Sequence, residues 1–279
     1  MHPDDFNFFA NLLRTRLGIE LGADKRYLVE ARLKEIAGQS GFGGVAELLV
    51  HMRAGADTKL VTAALDAMTT NETFFFRDGS PFDQLRSLLP ELVRARDGGA
   101  VRIWSAASST GQEAYSIAMV LEEEAGRIPG LRAEIVATDV SRRVLEKAKT
   151  GFYTAFEVQR GVSAERLARH FDGTPGGYRI KPSLKRNISW EHANLLNGFS
   201  NLGLFDVIFC RNVLIYFSRE NRAEILDRLA DRLRPEGRLF LGAAETPLGL
   251  TSRLVSAGPA GGGFRREASV VGRAAAARR

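Results

Sequence analysis

Two acidic side chains, Glu113 and Asp139, stand where short apolar runs give way to small residues and then to helical patterns. In sheets that carry helices on both faces, ligands bind where the parallel strands end, so both acids are candidates for ligand contact. Between residues 105 and 111 the turn before Glu113 contains a single glycine, Gly111, and matches neither GxGxxG nor GxxxxGK[ST]. This pattern argues against dinucleotide and NTP phosphate binding. It favours a ligand whose part beside Glu113 is uncharged or cationic.

Asp139 and Arg77 are candidates on different grounds. An acid at the end of the second strand can accept hydrogen bonds from both ribose hydroxyls of a nucleoside. The alternative for Asp139 is a cap on the helix predicted around residues 142–149, and the pattern does not separate the two. Arg77 follows three consecutive phenylalanines that we expect in the core, and Asn71 and Thr73 are further polar groups around that run. We therefore expect Arg77 to have a role beyond solvation.

The elements that must position these residues alternate between strand and helix after residue 100. Val101, Ile103 and Trp104 indicate a strand, and apolar residues at i, i+3, i+4 and i+7 from Ala114 indicate the helix that follows. Strands are predicted at 101–107, 133–139, 188–194, 205–211 and 238–244, and a helix at 218–233 is stopped by Pro235 and Gly237. This alternation predicts an α/β fold, with a mostly parallel sheet and helices on both faces.

Three departures from this alternation suggest the domain organisation. Residues 1–70 are predicted to form an all-helical N-terminal domain, and residues 71–270 the α/β domain. Within the latter, residues 151–190 break the alternation and predict a small antiparallel β insertion, with strands at 178–180 and 187–190. A final hairpin is predicted near Leu254 and Phe264, and residues 271–279 are predicted to be a disordered basic tail.

Charge, cysteine content and hydropathy exclude several functional classes. The formal charge of +6 lies mostly after residue 252, so it does not indicate nucleic-acid binding. One cysteine excludes an internal disulfide and fits a reducing cytoplasm, and four scattered histidines give no metal-site spacing. We expect no signal peptide and no membrane-spanning segment. The expected localisation is cytoplasmic.

Basic residues are concentrated between positions 14 and 34 of the helical domain. Lys25 and Arg32 are seven residues apart, two turns along one predicted helix face, and Arg26 and Lys34 widen that strip. The cluster is either a solvated face or a docking face for an acidic partner.

Several motifs, in order along residues 5–245, resemble the chemotaxis receptor methyltransferases, the CheR family. They are TTNETFFFRD (69–78), WSAASSTGQEAYSIAM (104–119), ATDVSRRVLEKAKTGFY (137–153), YRIKP (178–182), ANLL (193–196), FDVIFCRNVLIYF (205–217) and GAAE (242–245). NETxFFRD and CRNVLIYF are highly specific for that family. The resemblance implies a Rossmann-like S-adenosylmethionine-dependent domain, an N-terminal helical domain and an inserted β-subdomain. It also implies methylation of glutamate side chains on chemoreceptor cytoplasmic helices, with S-adenosylhomocysteine as the product.

The resemblance also implies site residues. The implied cofactor contacts are Asn71, Thr73, Arg77, Glu113, Asp139, Asn194, Leu195, Arg211 and Asn212. Arg77 and Tyr216 would lie beside the transferred methyl group, and no metal is implied. This chain departs from the family in two places: GQEA stands where GEEP is usual, and GAAE replaces GHSE or GHAE, so the family's histidine is missing.

The chemistry of a glutamate acceptor agrees with the residues present. A carboxylate with a pKa near ~4.3 is ionised at neutral pH and needs no general base, so the enzyme must mainly align the reacting atoms. Arg77 would position the acceptor carboxylate and Tyr216 would contribute shape and a hydroxyl contact. Two alternatives remain: a methyltransferase acting on another signalling protein, and a non-enzymatic cofactor-binding module. We expect the partner to be the chemoreceptor cytoplasmic domain and the enzyme to be a monomer.

Overall fold

A computed structural model describes residues 1–55, 57–258 and 262–267. The predicted disordered tail at 271–279 lies outside the described residues. The chain divides into two compact units. The first comprises Met1–Asn71 and Tyr216–Asn221, and the second comprises Glu72–Ile215 and Arg222–Arg279.

The first unit is built from the helices α1 (Pro3–Leu17), α2 (Arg26–Gln39), α3 (Val45–Arg53) and α4 (Thr58–Met68). The apolar stripe of α1 is buried, with Phe6, Phe9, Leu13 and Leu17 all inside the unit. The buried stripe of α2 runs along Val29, Leu33 and Ala37, whereas Leu28 and Ile36 are only half-buried. The α2 stripe is spaced at i, i+4 and i+8, which places all three side chains on one helical face.

The second unit begins with α5 (Ser80–Ala95) and then alternates strands and helices. Its elements are β1 (Val101–Ala106), α6 (Gln112–Glu124), β2 (Ala133–Asp139), α7 (Arg142–Thr150), β3 (Phe152–Tyr153), α8 (Ala155–Gln159), α9 (Ala164–His170), β4 (Phe171–Thr174), β5 (Gly177–Ile180), α10 (Pro182–Lys185), β6 (Ile188–His192), β7 (Phe205–Cys210), α11 (Arg219–Arg232), β8 (Leu233–Leu241), β9 (Leu254–Ser256) and β10 (Phe264–Arg266).

Seven strands of the described residues form the main sheet, in the order β6-β2-β1-β7-β8-β10-β9. The first five of these strands pair in parallel, and β9 and β10 form an antiparallel hairpin against β8. All six residues of β7 are buried, as a central parallel strand requires. The predicted α/β sheet and the final hairpin are therefore confirmed.

The predicted helix at 218–233 is confirmed to within one residue at each end, because α11 spans Arg219–Arg232. Pro235 and Gly237, which were expected to stop it, follow inside β8. Leu233 pairs with Phe205, the register then shifts, and pairing resumes where Arg238 meets Val207. The extra residues of such a bulge do not all pair with the neighbouring strand, so a proline is tolerated there.

The β insertion is present but smaller than predicted. Its sheet has the order β3-β5-β4, all antiparallel, with α8 and α9 between β3 and β4. The predicted insertion strand at 187–190 is wrong, because Ile188–His192 pairs in parallel with β2 at the edge of the main sheet. The apolar alternation of that segment fits either sheet, and only the pairing partner decides between them.

No helix among the described residues is long and apolar enough to cross a membrane.

Candidate active site

The carboxyl ends of four parallel strands hold most of the predicted site residues. Asp139 ends β2, Arg211 and Asn212 follow β7 directly, Glu113 lies in the first turn of α6 after β1, and Asn194 follows β6. The chain runs from β1 outward through β2 to β6 and then returns to β7 on the other side of β1. This reversal creates a crevice at the ends of β1 and β7, where open α/β sheets bind their ligands.

The loop between β1 and α6 has an unusual backbone. Ala107 and Ser109 adopt positive φ angles of 56° and 51°, and Gly111 has a φ of 96°. A Cβ at Gly111 would lie 2.9 Å from both the Ala148 methyl and the Trp190 ring, so no other residue fits at this position. Conformations of this kind cost energy in non-glycine residues and are concentrated at binding sites.

The buried carboxylate of Asp139 joins this loop to the end of β2. It accepts hydrogen bonds from the amide nitrogens of Ser109 and Ser141, each at 2.9 Å. The side-chain cap of α7 is Ser141, whose Oγ accepts a 3.5 Å hydrogen bond from the Val144 amide. Asp139 therefore organises the two loops that border the crevice, and the helix cap that was the alternative role for Asp139 is supplied by Ser141.

Glu113 faces the same crevice from the start of α6. It accepts hydrogen bonds from Ser105 Oγ (2.8 Å) and from Arg211 Nη1 (3.2 Å). Burial raises the pKa of the Glu113 carboxyl above its usual range, although Arg211 and Ser105 both act to lower it. The neighbouring Gln112 of the GQEA loop is buried, and its Oε1 accepts a 2.8 Å hydrogen bond from the Thr110 hydroxyl. The side-chain amide of Gln112 is therefore used in a hydrogen bond within the β1–α6 loop.

Arg211 connects the crevice to the segment that carries Arg77. Its side chain is 2% exposed, and besides Glu113 it donates to the Arg77 carbonyl oxygen at 2.9 Å and to the Asp78 carboxylate at 2.5 Å. A buried guanidinium with acceptors on two segments holds them in one geometry. This structural role is additional to the cofactor contact predicted for Arg211.

Arg77 itself is half-buried on an irregular segment. Its Nη1 donates to the Glu72 carbonyl oxygen at 3.1 Å, and its guanidinium lies 5.3 Å from the centre of the Phe74 ring. Of the three consecutive phenylalanines Phe75 is fully buried and the half-buried Phe76 packs against the same core, so the predicted core role holds for these two rings.

A carboxylate that the sequence interpretation missed, Glu245, shapes the loop after β7. Its oxygens accept hydrogen bonds from the amides of Asn212 (2.8 Å), Val213 (2.8 Å), Leu214 (2.7 Å) and Gly242 (2.7 Å). Asn212 has a φ of 58°, which this set of bonds helps to hold. The available signal was the position of this acid in the GAAE motif, directly after a predicted strand, where a carboxylate can accept from loop amides.

The loop after β6 contains Asn194 and Leu195. The Oδ1 of Asn194 accepts a 3.0 Å hydrogen bond from the Leu196 amide, and Leu195 is buried. Arg228 on α11 donates to the carbonyl oxygens of Leu195 and Leu196 and so fixes the loop from outside.

The remaining predicted site residues are divided between the two units. Thr73 belongs to the second unit and is half-buried, whereas Asn71 and Tyr216 belong to the first. Asn71 Nδ2 donates to Thr69 Oγ1 at 3.0 Å, and Tyr216 is a half-buried residue of the short 3-10 turn Leu214–Tyr216.

The structure corrects the predicted docking strip in the first unit. Arg32 donates to the carbonyl oxygens of Met68 (2.7 Å) and Thr69 (3.2 Å) at the end of α4, a site that favours a cation. The Arg26 guanidinium lies 5.8 Å from the Phe6 ring centre. Lys25 is in the 3-10 turn Ala23–Lys25, so its spacing to Arg32 is not two α-helical turns. Only Lys25 and Lys34 are exposed cations of this strip.

The side chains of the crevice suit a nucleoside that carries a positive charge. Glu113 and Asp139 provide carboxylate acceptors, and the buried Oδ1 of Asn212 has no hydrogen-bond partner within the described part of the chain. S-adenosylmethionine has ribose hydroxyls, an ammonium and a sulfonium, so its donors and charge match these acceptors. In residues 1–55, 57–258 and 262–267 no three metal-ligating side chains form a group.

Comparisons with known proteins agree with this chemistry. Residues 71–256 match the family model "CheR methyltransferase, SAM binding domain", and residues 4–69 match "CheR methyltransferase, all-alpha domain". The chain is 44% identical to Chemotaxis protein methyltransferase Cher2 of Pseudomonas putida, covering 88% of this chain and 91% of that protein. It is 45% identical to Chemotaxis protein methyltransferase 1 of Pseudomonas aeruginosa, covering 86% and 89%. The Salmonella typhimurium chemotaxis protein methyltransferase is 37% identical, with 86% and 83% covered. The chain therefore belongs to the CheR family of S-adenosylmethionine-binding chemotaxis methyltransferases.

Proposed function

We propose that this methyltransferase transfers the methyl group of S-adenosylmethionine to glutamate side chains of chemoreceptor cytoplasmic helices, forming glutamyl methyl esters. The observation that carries the proposal is the buried Arg211, which contacts Glu113 at the crevice and the carbonyl oxygen of Arg77. Because of this link, a cation suited to an acceptor carboxylate lies on a segment attached to the cofactor crevice. An acceptor carboxylate would pair with the guanidinium of Arg77, which explains why position 77 carries an arginine.

Each proposed role is assigned to a residue that the family resemblance implies, and the contacts of Glu113, Asp139 and Arg211 at the crevice support three of these assignments. S-adenosylmethionine supplies a methyl group bonded to a positively charged sulfur, which leaves as the neutral thioether when the acceptor oxygen takes the methyl. Asp139 would accept from the ribose hydroxyls, and Glu113, Arg211 and Asn212 would contact the methionine part. Asn71, Thr73, Asn194 and Leu195 complete the proposed cofactor contacts.

The acceptor glutamate is ionised at neutral pH, since its pKa is near ~4.3, so the chain need not remove a proton. The work of the enzyme is to hold the carboxylate in line with the methyl group. Arg77 would pair with the carboxylate without neutralising it, and Tyr216 would add shape and a hydroxyl contact. Binding that is too strong would lower the nucleophilicity of the oxygen, which is why positioning is the proposed role.

The exposed Lys25 and Lys34 of the strip are proposed to attract the acidic receptor helix. We propose a cytoplasmic location because the acceptor helices are cytoplasmic, and a monomer because nothing in the chemistry requires a second copy.

A labelled-methyl assay tests the proposal. Wild-type enzyme with labelled S-adenosylmethionine should transfer base-labile label to glutamates of a chemoreceptor cytoplasmic fragment. Arg77→Gln should reduce kcat at least about a hundredfold, as loss of a charge-assisted contact to the reacting group predicts. The matched control is Arg94→Gln, which removes an exposed arginine of α5 and should leave the rate unchanged.

Two results would contradict the proposal. One is binding of S-adenosylhomocysteine in a calorimetric titration without transfer to the receptor fragment, which would favour a non-enzymatic module. The other is transfer to a different signalling protein in preference to the receptor, which would favour the alternative acceptor.

A further inference from the structure

The Phe74 ring carries two guanidinium groups. Arg77 lies 5.3 Å from the ring centre, and Arg160, from the connection between α8 and α9 in the insertion, lies 4.9 Å from it. The Arg160 guanidinium also lies 5.8 Å from the ring centre of Phe156, which is 68% exposed. The four side chains, Phe74, Arg77, Phe156 and Arg160, form a surface that we call the two-arginine platform.

The backbone of the insertion is held directly against the segment that carries Arg77. A Cβ at Gly161 would overlap the carbonyl oxygen of Phe75, so only glycine permits this approach. On α9, Arg166 lies 3.8 Å from the centre of the Phe76 ring and binds the Glu123 carboxylate through two nitrogens, at 2.7 and 3.0 Å. These contacts fix Arg160 relative to Arg77, because they hold the connection after α8 against Phe75 and α9 against Phe76.

The ion pair that Arg160 makes within the protein is weak. Its Nη2 lies 3.3 Å from the Glu72 carboxylate, and the two side chains are 41% and 62% exposed. Pairs this exposed contribute little to stability. A carboxylate from a partner can therefore replace Glu72 at small cost, and stacking on Phe74 keeps the guanidinium in place during the exchange.

We propose that Arg160 is a specificity-determining residue, which binds a second carboxylate of the acceptor helix, one turn from the glutamate that is methylated. The inference rests on the proposed function, in which Arg77 binds the acceptor carboxylate. Side chains three or four positions apart on a helix have Cβ atoms about 5–6 Å apart, a separation that two arginines on one ring can match. The exposed Phe156 ring adds an apolar contact to the same helix. The preferred acceptor is thus a helix with two carboxylates on one face.

The test crosses an enzyme variant with an acceptor variant. Wild-type and Arg160→Gln enzymes are assayed on two receptor fragments, one with a glutamate one turn from the methylated position and one with glutamine there. On the first fragment, Arg160→Gln should lower kcat/KM about three- to fivefold, as loss of a partly exposed ion pair predicts, mainly through KM. On the second fragment the two enzymes should differ less than about twofold. Arg160→Lys should recover part of the loss, since it keeps the charge but not the planar stacking.

Arg169→Gln provides the matched control, because it removes an exposed arginine of the same insertion that lies off the platform. It should have no effect on either fragment, and S-adenosylhomocysteine affinity should be unchanged in every variant. If Arg160→Gln lost the same fraction of kcat/KM on both fragments, or lost none on either, the inference would be overturned. The proposed function would still stand in that case, because the wild-type enzyme transfers the methyl group. Absence of transfer by the wild-type enzyme would overturn both.

Discussion

The two oxygens of Asp139 already have partners within the protein, so this residue combines a structural and a ligand-binding role. Asp139→Ala would leave the buried amides of Ser109 and Ser141 without their acceptor and would remove the proposed ribose contact. We expect S-adenosylhomocysteine affinity to fall by about 2–4 kcal/mol and the thermal midpoint to fall as well. Calorimetric titration and a melting curve measure the two effects.

The control for this prediction is Ser141→Ala, which removes the cap of α7 and should cost about 1 kcal/mol of stability. Affinity for S-adenosylhomocysteine should survive it. If Asp139→Ala also kept full affinity, the ribose assignment would be wrong and the residue would serve only to join the two loops.

At the scale of single residues, the sequence predicted which side chains could bind a ligand better than it predicted their hydrogen-bond partners within the protein. Glu113 and Asp139 could be selected because acids that follow predicted strands lie at the edge where α/β sheets bind ligands. Arg32 was misplaced, since its polar side chain fits a solvated face as well as it fits the carbonyl oxygens at the end of α4. The partner of Arg32 lies 36 residues away, a relation that local periodicity does not contain.

Among the elements, the loop after β7 depends on a carboxylate from the loop after β8. Glu245→Ala should leave the four amides that donate to this carboxylate without their acceptor. About 2–4 kcal/mol of stability should be lost as a result. Because the loop includes Arg211 and Asn212, cofactor affinity should fall too. Chemical denaturation and titration report these changes, with the exposed Glu236→Gln as the control. If the Glu245→Ala variant kept full stability and normal affinity, the loop after β7 would hold its shape without the Glu245 carboxylate.

The contact between α9 and α6 should make stability depend on pH. His170 is 1% exposed, and its nitrogens lie 3.8 Å from the Glu122 carboxylate and 3.6 Å from that of Glu123. Burial lowers the pKa of His170 below its usual 6.5, although both carboxylates oppose the shift. Between the lowered folded value and 6.5 the unfolded chain binds more protons, so stability should be lost as pH falls through that window.

Denaturation between about pH 5 and 7.5 checks this expectation. His170→Gln should flatten the dependence below pH 6.5, whereas His51→Gln, an exposed histidine of α3, should not. Equal slopes for wild type and His170→Gln would assign the pH dependence to other groups.

The elements themselves were largely predictable, and the misplacements have a common cause. The strands β1, β2, β7 and the final hairpin follow from apolar runs and turn residues. The strand β6 was assigned to two sheets, and the part of β8 before the predicted start at 238 was missed, because strand pairing is a long-range property. Glu245 was missed as a site residue for the same reason: its four donors come from two separate loops.

At the scale of the whole molecule, substrate attraction and cofactor binding should be separable by mutation. Lys25→Glu with Lys34→Glu should slow receptor methylation and leave S-adenosylhomocysteine affinity unchanged, since both lysines lie in the first unit and are exposed. The wild-type rate at low receptor concentration should also fall as salt rises past ~0.1 M, where the Debye length is about 10 Å.

Two controls accompany the reversal of these charges. Lys59→Glu changes an exposed lysine of α4 and should have little effect, whereas Arg32→Glu should reduce stability because it removes a cation from the end of α4. If the variant with both lysines reversed methylated the receptor at the wild-type rate at low salt, the two lysines would be solvated residues only. The receptor-docking surface would then have to be sought in the β insertion.

The entry and exit of the β insertion lie side by side, since the Gly151 carbonyl oxygen accepts a 2.8 Å hydrogen bond from the Ile180 amide. Such a segment can be exchanged between homologous enzymes as a cassette, because the two ends are joined whatever lies between them. Compatibility would depend on the contacts between the insertion and its host, and two of them are especially close: the Tyr153 hydroxyl donates to the Thr110 carbonyl oxygen at 2.7 Å, and Gly161 meets Phe75. A donor cassette with an equivalent tyrosine and glycine should transplant acceptor preference into a recipient. One without them would disturb the recipient's cofactor loop.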